Sequence, residues 1–216
     1  MPRFIKQLKK PTIILLGAGG HSRACIDVIE QEGHFQIAGL VGLSDQRHDH
    51  HLGYSVIGTD EDLPQLVKKY SFALVTVGQL ETPDLRIHLF SQALKLGFKL
   101  VVVVAPTAQV SPHARIGAGT IVMHGAIVNA GARVGNNCII NTRALIEHDA
   151  IVGDHCHIST GAILNGGAVV GSDSFIGSGS VIKEGITLGK RCIVGMGLSL
   201  RHNQADHSRF VGNGKK

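Results

Sequence analysis

The chain has 216 residues, 44% of them hydrophobic, yet only nine aromatics stand beside 28 glycines. That balance suits an architecture of many tight turns and few bulky fillers, and it argues against one made of long helices. The net charge of +5 is mild, and no Lys/Arg block is interleaved with aromatics. Nucleic acid is therefore excluded as the expected partner in favour of an anionic small molecule.

In chain order, residues 1–10 are basic, but no apolar core or small-residue cleavage site follows them, so they do not read as a secretory signal. The next apolar run, residues 13–16, is far too short to span a membrane. No membrane contact is expected, and a cytoplasmic location is. Cys25, Cys138, Cys156 and Cys192 show neither a CxxC pair nor zinc spacing, so they read as reduced structural thiols and no metal is expected.

Residues 12–16 read as a buried strand running into Gly17-Ala18-Gly19-Gly20-His21-Ser22, a glycine turn that opens an apolar-periodic helix through Ile26, Val28 and Ile29. Further strands are predicted at 36–41, 72–77 and 99–103, and helices at 62–70 and 83–96. Alternating β and α units imply a small Rossmann-like parallel sheet within residues 1–103. A glycine turn before a helix can present backbone N–H groups to a phosphate. This one lacks the last glycine of the dinucleotide fingerprint, and about 100 residues is short for a full dinucleotide fold. The nucleotide part of a substrate is a better ligand for it than NAD. Asp45, beyond the second strand, suits a ribose hydroxyl or equally a solvated loop.

From Val104 the chain repeats every six residues without an insertion. Sixteen first positions in a row, Val104 through Val194, are aliphatic, and fourteen of the sixteen fifth positions, Ala108 through Leu198, are small. Neither the helical period nor plain strand alternation produces this pattern. On an extended segment the fifth position of one hexad and the first of the next lie two apart and point to the same face. Residues 104–199 are thus a parallel β-helix of three hexads per coil, with a tail at 200–216. Cys138, Cys156 and Cys192 fall on fifth positions, pointing inward.

Within the repeat, Ile146-Glu147-His148-Asp149 breaks the Gly/Asn habit of the corners. Asp149 is positioned to orient His148 and raise its basicity. One coil to either side the chain carries Gly166 and Ala130, which leaves a notch beside the imidazole. His157, between inward Cys156 and Ile158, is expected to face outward on another side of the prism.

The segment Asn141-Thr-Arg-Ala-Leu-Ile-Glu-His-Asp149, with Cys156-His-Ile-Ser159, Leu164-Asn-Gly166, the opening Leu16-Gly-Ala-Gly-Gly-His-Ser22 and Val77-Gly78, resembles the bacterial hexapeptide-repeat sugar acyltransferases. That family includes sialic acid O-acetyltransferases and nucleotide 4-amino-sugar N-acetyltransferases. The resemblance implies a left-handed helix, a homotrimer with active sites between prisms, and acetyl-CoA as co-substrate. It makes His148 the general base and Asp149 its partner, and it puts Asn141 near the sugar. His157, Gly166, Ser178, Gly195 and Met196 would serve the coenzyme, and Gly17, Gly19, Gly20, His21, Ser22, Asp45 and Gly78 the nucleotide sugar.

Within the family, Asp149 and His157 favour N-acetylation of an amino sugar for a surface glycan. The Asn-Thr-Arg and Ile-Ser-Thr words favour the sialic acid O-acetyl branch. A non-catalytic trimeric scaffold is the third reading. It draws on the close of the chain, where Arg201-His-Asn-Gln-Ala-Asp-His207 and residues 211–216 depart from the family pattern.

Overall fold

A computed structural model describes residues 10–47 and 49–212. The basic opening stretch, apart from Lys10, and the last four residues lie outside them. The first half is a six-stranded sheet formed by β1 (Thr12–Leu16), β2 (Gln36–Val41), β3 (His50–His51), β4 (Tyr54–Gly58), β5 (Phe72–Val75) and β6 (Lys99–Leu100). Its order is β3-β4-β2-β1-β5-β6, parallel throughout except for β3 against β4. Helices α1 (Gly20–Glu32), α2 (Leu63–Lys69) and α3 (Asp84–Leu96) accompany it. The short hairpin β3–β4 was not expected, because its sequence His50-His51-Leu52-Gly53-Tyr54 carries little apolar alternation. The strand expected at 99–103 divides, its last residue joining the second half.

Strand β1 is central, with β2 on one side and β5 on the other. The strand order therefore reverses at the carboxyl end of β1, where open α/β sheets hold their ligands. The glycine turn sits at that reversal.

From Val103 the chain winds as a parallel β-helix, with two-residue strands pairing to strands 18 residues away on three faces. Face one runs from Val103–Val104 to Arg209–Phe210, face two from Gln109–Val110 to Ser199–Leu200, and face three from Arg115–Ile116 to Thr187–Leu188. First-position residues such as Val122, Val128, Ile140, Ile146, Ile158 and Leu164 are fully or almost fully buried with fifth-position Ala126, Ala132, Ala144 and Ala162. Each such branched side chain contributes about 1.5–3 kcal/mol of hydrophobic stabilisation. Strand pairing does not stop at 199: Phe210 pairs with Val194, so the chain beyond 200 adds to the helix.

From the third hexad on, corners are closed by a left-handed residue at the fourth position. Glycine serves at Gly119, Gly125 and Gly131, but Asn137, Arg143, Asp149, His155, Asp173 and Arg191 take the same conformation, with φ between 51° and 67°. One internal column is polar. Thr120, Cys138, Cys156, Ser174 and Cys192 stack at successive coils, and Cys138 and Cys156 each direct Sγ to a carbonyl 15 residues on. Burial pushes the Cys156 thiol well above its usual range. These thiols are structural acceptor-fillers rather than nucleophiles.

Face one is covered by the first half. Val103, Ala105, Ile121, Met123 and Ile139 join Cys25, Ile26 and Ile29 of α1 in one buried cluster. A polar clasp sits beside it, where His124 bridges Asp27 of α1 at 3.1 Å and Thr107 at 2.9 Å. No described helix is long and apolar enough to cross a membrane.

Candidate active site

The corner at 147–149 is the first candidate locus. His148 Nδ1 lies 3.0 Å from Asp149 Oδ2, and both side chains are exposed. A carboxylate only accepts, so Nδ1 carries the hydrogen and the Nε2 lone pair points away from Asp149. Neighbouring side chains diverge on a flat strand. Here they converge because Asp149 adopts φ 60° at the corner. That backbone costs a non-glycine residue about 1–2 kcal/mol, a strain of the kind found at functional sites.

Glu147 does not touch the imidazole. Its carboxylate accepts from Asn129 Nδ2 at 2.9 Å and from the His148 backbone N–H at 3.2 Å, which pins the corner. The sequence signal for this pair was their 18-residue spacing, one coil apart. The imidazole itself fills the space that Gly166 leaves: a Cβ there would lie 2.6 Å from His148 Nε2. The Gly167 N–H is taken by the His148 carbonyl at 2.9 Å. The Gly166 N–H donates to no acceptor among the described residues, which leaves it available to a developing oxyanion beside the imidazole.

The second locus is the seam between the two halves. His157 does face outward from the prism, as expected, but it is 6% exposed because the segment following β5 lies over it. Its Nδ1 donates to the Gln79 carbonyl at 2.7 Å, its Nε2 accepts from Asn141 Nδ2 at 3.0 Å, and Phe175 packs edge-on against the ring. Burial, with help from the Arg86 charge, lowers its pKa to about 4. His21, at the start of α1, is lowered to about 4 by burial and by Arg86 and His157, and its Nε2 has no partner among the described residues. Gly78 lies against it, with room for a Cβ only 3.6 Å from the His21 Cβ.

The glycine turn borders a separate cavity of about 210 Å³, lined by Gly17, Ala18, Gly19, Gly42, Leu43, Gln46, Asp60 and Val77 among others. Gly17 has φ 121°, and a Cβ there would clash with Val77. Gly20 begins α1. Ser22 is fully buried and bonds Gly19 O and His51 Nδ1, so its hydroxyl braces the turn from inside. Asp45 is exposed on a short 3-10 turn and does not line the cavity; Asp60 and Gln46 do.

Asn141, Ser178, Gly195 and Met196 all lie along the edge between faces one and two, with Ser178 Oγ 2.9 Å from Ser159 Oγ and Met196 80% exposed. His148 and Gly166 occupy the other edge of face two. One chain thus gathers His21, Gly78, Asn141 and His157 at the seam and His148, Asp149 and Gly166 at the far edge, with the face-two strand Leu145–Ile146 between them. Above the His148 edge lies a groove of about 600 Å³ lined by Asn165, Lys183, Arg201 and His202 among others. Its cations come partly from the stretch that departs from the family pattern. Among the described residues no cluster of His, Cys, Asp and Glu could hold a metal.

Comparison with known proteins agrees with this fold. Residues 12–92 match the PglD N-terminal domain, 131–166 the bacterial transferase hexapeptide (six repeats), and 167–201 the hexapeptide repeat of succinyl-transferase. Perosamine N-acetyltransferase from Caulobacter crescentus, solved as a histidine mutant with CoA and GDP-perosamine, is 33% identical over 93% of both chains, with a TM-score of 0.87. The acetyltransferase domain of PglB from Neisseria gonorrhoeae, with acetyl coenzyme A, is 32% identical over 95% of this chain and 98% of that one, with a TM-score of 0.86. WeeI from Acinetobacter baumannii, at 21% identity, 94% and 97% coverage and a TM-score of 0.81, shares the fold. No curated protein matches the sequence.

Proposed function

Because the chain belongs to the bacterial hexapeptide-repeat sugar acyltransferases, with their small parallel sheet and left-handed β-helix, we propose that it moves acetyl from acetyl-CoA to the amino group of a nucleotide-linked sugar. The observation that carries the reading is the His148–Asp149 pair set against the Gly166 gap. The similar proteins solved with CoA and GDP-perosamine, or with acetyl-CoA, support the two substrates.

In this reading the neutral amine attacks the thioester carbonyl directly. His148 Nε2 takes the amine proton as the N–C bond forms, and Asp149 stabilises the imidazolium. The Gly166 N–H receives the oxyanion. Collapse breaks the C–S bond, and the proton on His148 passes to the departing thiolate, which leaves the amide and free CoA. Lys183, Arg201 and His202 suit the coenzyme's phosphates. The glycine turn and its cavity suit the nucleotide.

The two loci face different edges, roughly 15 Å of strand apart. A single site uniting them is one shared between neighbouring chains, as in a homotrimer. Face two offers a surface for that, since its outward Ile127, Leu145, Ile163 and Val181 are aliphatic and only half-buried. A role in surface glycan assembly follows from the substrate class.

The test is thiol release from acetyl-CoA against a panel of nucleotide-linked amino sugars beside CMP-sialic acid, with His148→Ala as control. Activity on an amino sugar that collapses in the variant is expected. Activity on sialic acid alone would replace this reading with O-acetylation.

A further inference from the structure

Arg86 is among the most buried large side chains of the molecule, at 1% exposure, and no carboxylate among the described residues pairs with it. An unpaired buried cation is costly unless carbonyl-type acceptors surround it. Arg86 projects from α3 and finds them for its two terminal nitrogens, while its Nε has no partner among the described residues. Nη1 donates to the Val77 carbonyl, and Nη2 donates to Asn137 O at 2.7 Å and Asn137 Oδ1 at 3.0 Å. Asn137 replies with Nδ2 to the Arg86 carbonyl at 3.2 Å. The guanidinium thus rivets the segment following β5 to a corner of the β-helix.

Two residues beyond Val77 is the Gln79 carbonyl that takes the His157 Nδ1 hydrogen. With that hydrogen fixed, Nε2 must accept, and it accepts from Asn141 Nδ2. Asn141 Oδ1 is in turn held by the Thr142 N–H at 2.7 Å. The amide is oriented at both ends and keeps one N–H free for a ligand. Two further ionisable groups adjoin this array: His21, and His155, whose Nδ1 lies 3.0 Å from Asn137 Nδ2 and whose pKa burial lowers.

We infer that Arg86 is a positioning residue for acetyl transfer: by anchoring the Val77–Gln79 backbone it fixes His157 in the Nδ1–H tautomer and so sets the direction of the Asn141 amide. The role rests on the proposed function in so far as His157 and Asn141 belong to the transfer site. Burial and the Arg86 charge act the same way, since both keep His157 neutral, and an imidazolium could not accept from Asn141.

The first measurement is nitrogen NMR of histidine-labelled wild-type protein. His157 should show a protonated Nδ1 and a bare Nε2 from pH 5 to 8. A titration near 6.5 or the opposite tautomer overturns the proposal whatever any variant does. Arg86→Lys keeps the charge and loses the fork. It should mix the His157 tautomers and lower kcat by roughly tenfold or more with KM little changed.

A folded Arg86→Lys protein with the wild-type His157 signal sinks the proposal. If it does not fold, Asn137→Asp serves instead, because a carboxylate beside the guanidinium offsets its field and should raise the His157 titration. An unmoved titration in that variant also sinks it. The tautomer readout needs no substrate, so a chain inactive on every acceptor but showing these shifts would reject the acetyltransferase reading, and with it the role in transfer, while leaving the anchoring of the His157 tautomer by Arg86 intact.

Discussion

Two histidines of this molecule lie nine residues apart in sequence and inhabit opposite conditions. His148 stands on an exposed edge, oriented by one carboxylate at 3.0 Å. His157 lies in the seam between the two halves, held at both nitrogens and lowered to about 4 by burial. The edge histidine keeps a lone pair open to a reacting amine, while the seam histidine has both ring nitrogens committed. The difference separates a group suited to moving protons from one suited to holding geometry.

The sharpest way to break that comparison is to remove each ring. His148→Ala should lower kcat by about 10²–10⁴, the usual worth of a general base, with the thermal transition unchanged because the side chain is exposed. A comparable stability loss at His148, or wild-type turnover without it, would show the edge to be structural.

The seam should answer to acid instead. His21 and His157 have folded-state pKa values of about 4 against 6.5 unfolded. Between those values the unfolded chain binds more protons, so stability falls as pH drops from 6.5 toward 4 and is fully present above 6.5. At pH 5 the loss is about 2 kcal/mol per histidine, read as a shift in denaturant midpoint relative to pH 7. His157→Gln should remove part of the pH slope while leaving the remainder to His21 and to His155, whose pKa burial also lowers. A flat profile would mean that the seam is wet and open.

How the two loci were legible in the sequence follows from the same contrast. Six-residue arithmetic locates every corner, so the neighbours of His148 one coil away, Gly166 above and Ala130 below, can be counted out from the sequence. Burial of His157 cannot be read that way. It depends on residues 76–83, more than 70 positions earlier, folding over face one, and nothing local to Cys156-His157-Ile158 records that contact. Arg86 was invisible for the same reason, appearing only as one polar residue in the helix predicted at 83–96. Hairpin β3–β4 was missed because its histidines and glycine hide the alternation. The strand at Arg209–Phe210 was missed because the aliphatic register lapses after Leu200 although backbone pairing continues.

A third perturbation sharpens the comparison by moving the imidazole without touching it. Gly166 does not require a positive φ, so Gly166→Ala is a steric change alone, and its methyl would meet His148 Nε2. The exposed ring can swing away at little cost in stability. Displacing the base by about 1 Å should lower kcat some ten- to a hundredfold. Unchanged turnover would mean that Nε2 is not the reacting atom.

The smallest effect is expected at Asp149, and it decides how far the edge resembles a buried catalytic pair. An exposed ion pair contributes about 0.2–1 kcal/mol, which limits the loss on removing its charge to roughly fivefold in rate. Asparagine tolerates the left-handed corner better than most residues, so Asp149→Asn should leave stability equal or slightly higher. Its amide can still accept the Nδ1 hydrogen through Oδ1 and preserve the tautomer. A loss of about fivefold with an unchanged melting temperature would place the work of Asp149 in orientation. A loss of a thousandfold or more would mean that a neighbouring chain closes over this edge and buries the pair, because only a dry carboxylate–imidazole contact carries that much of the barrier.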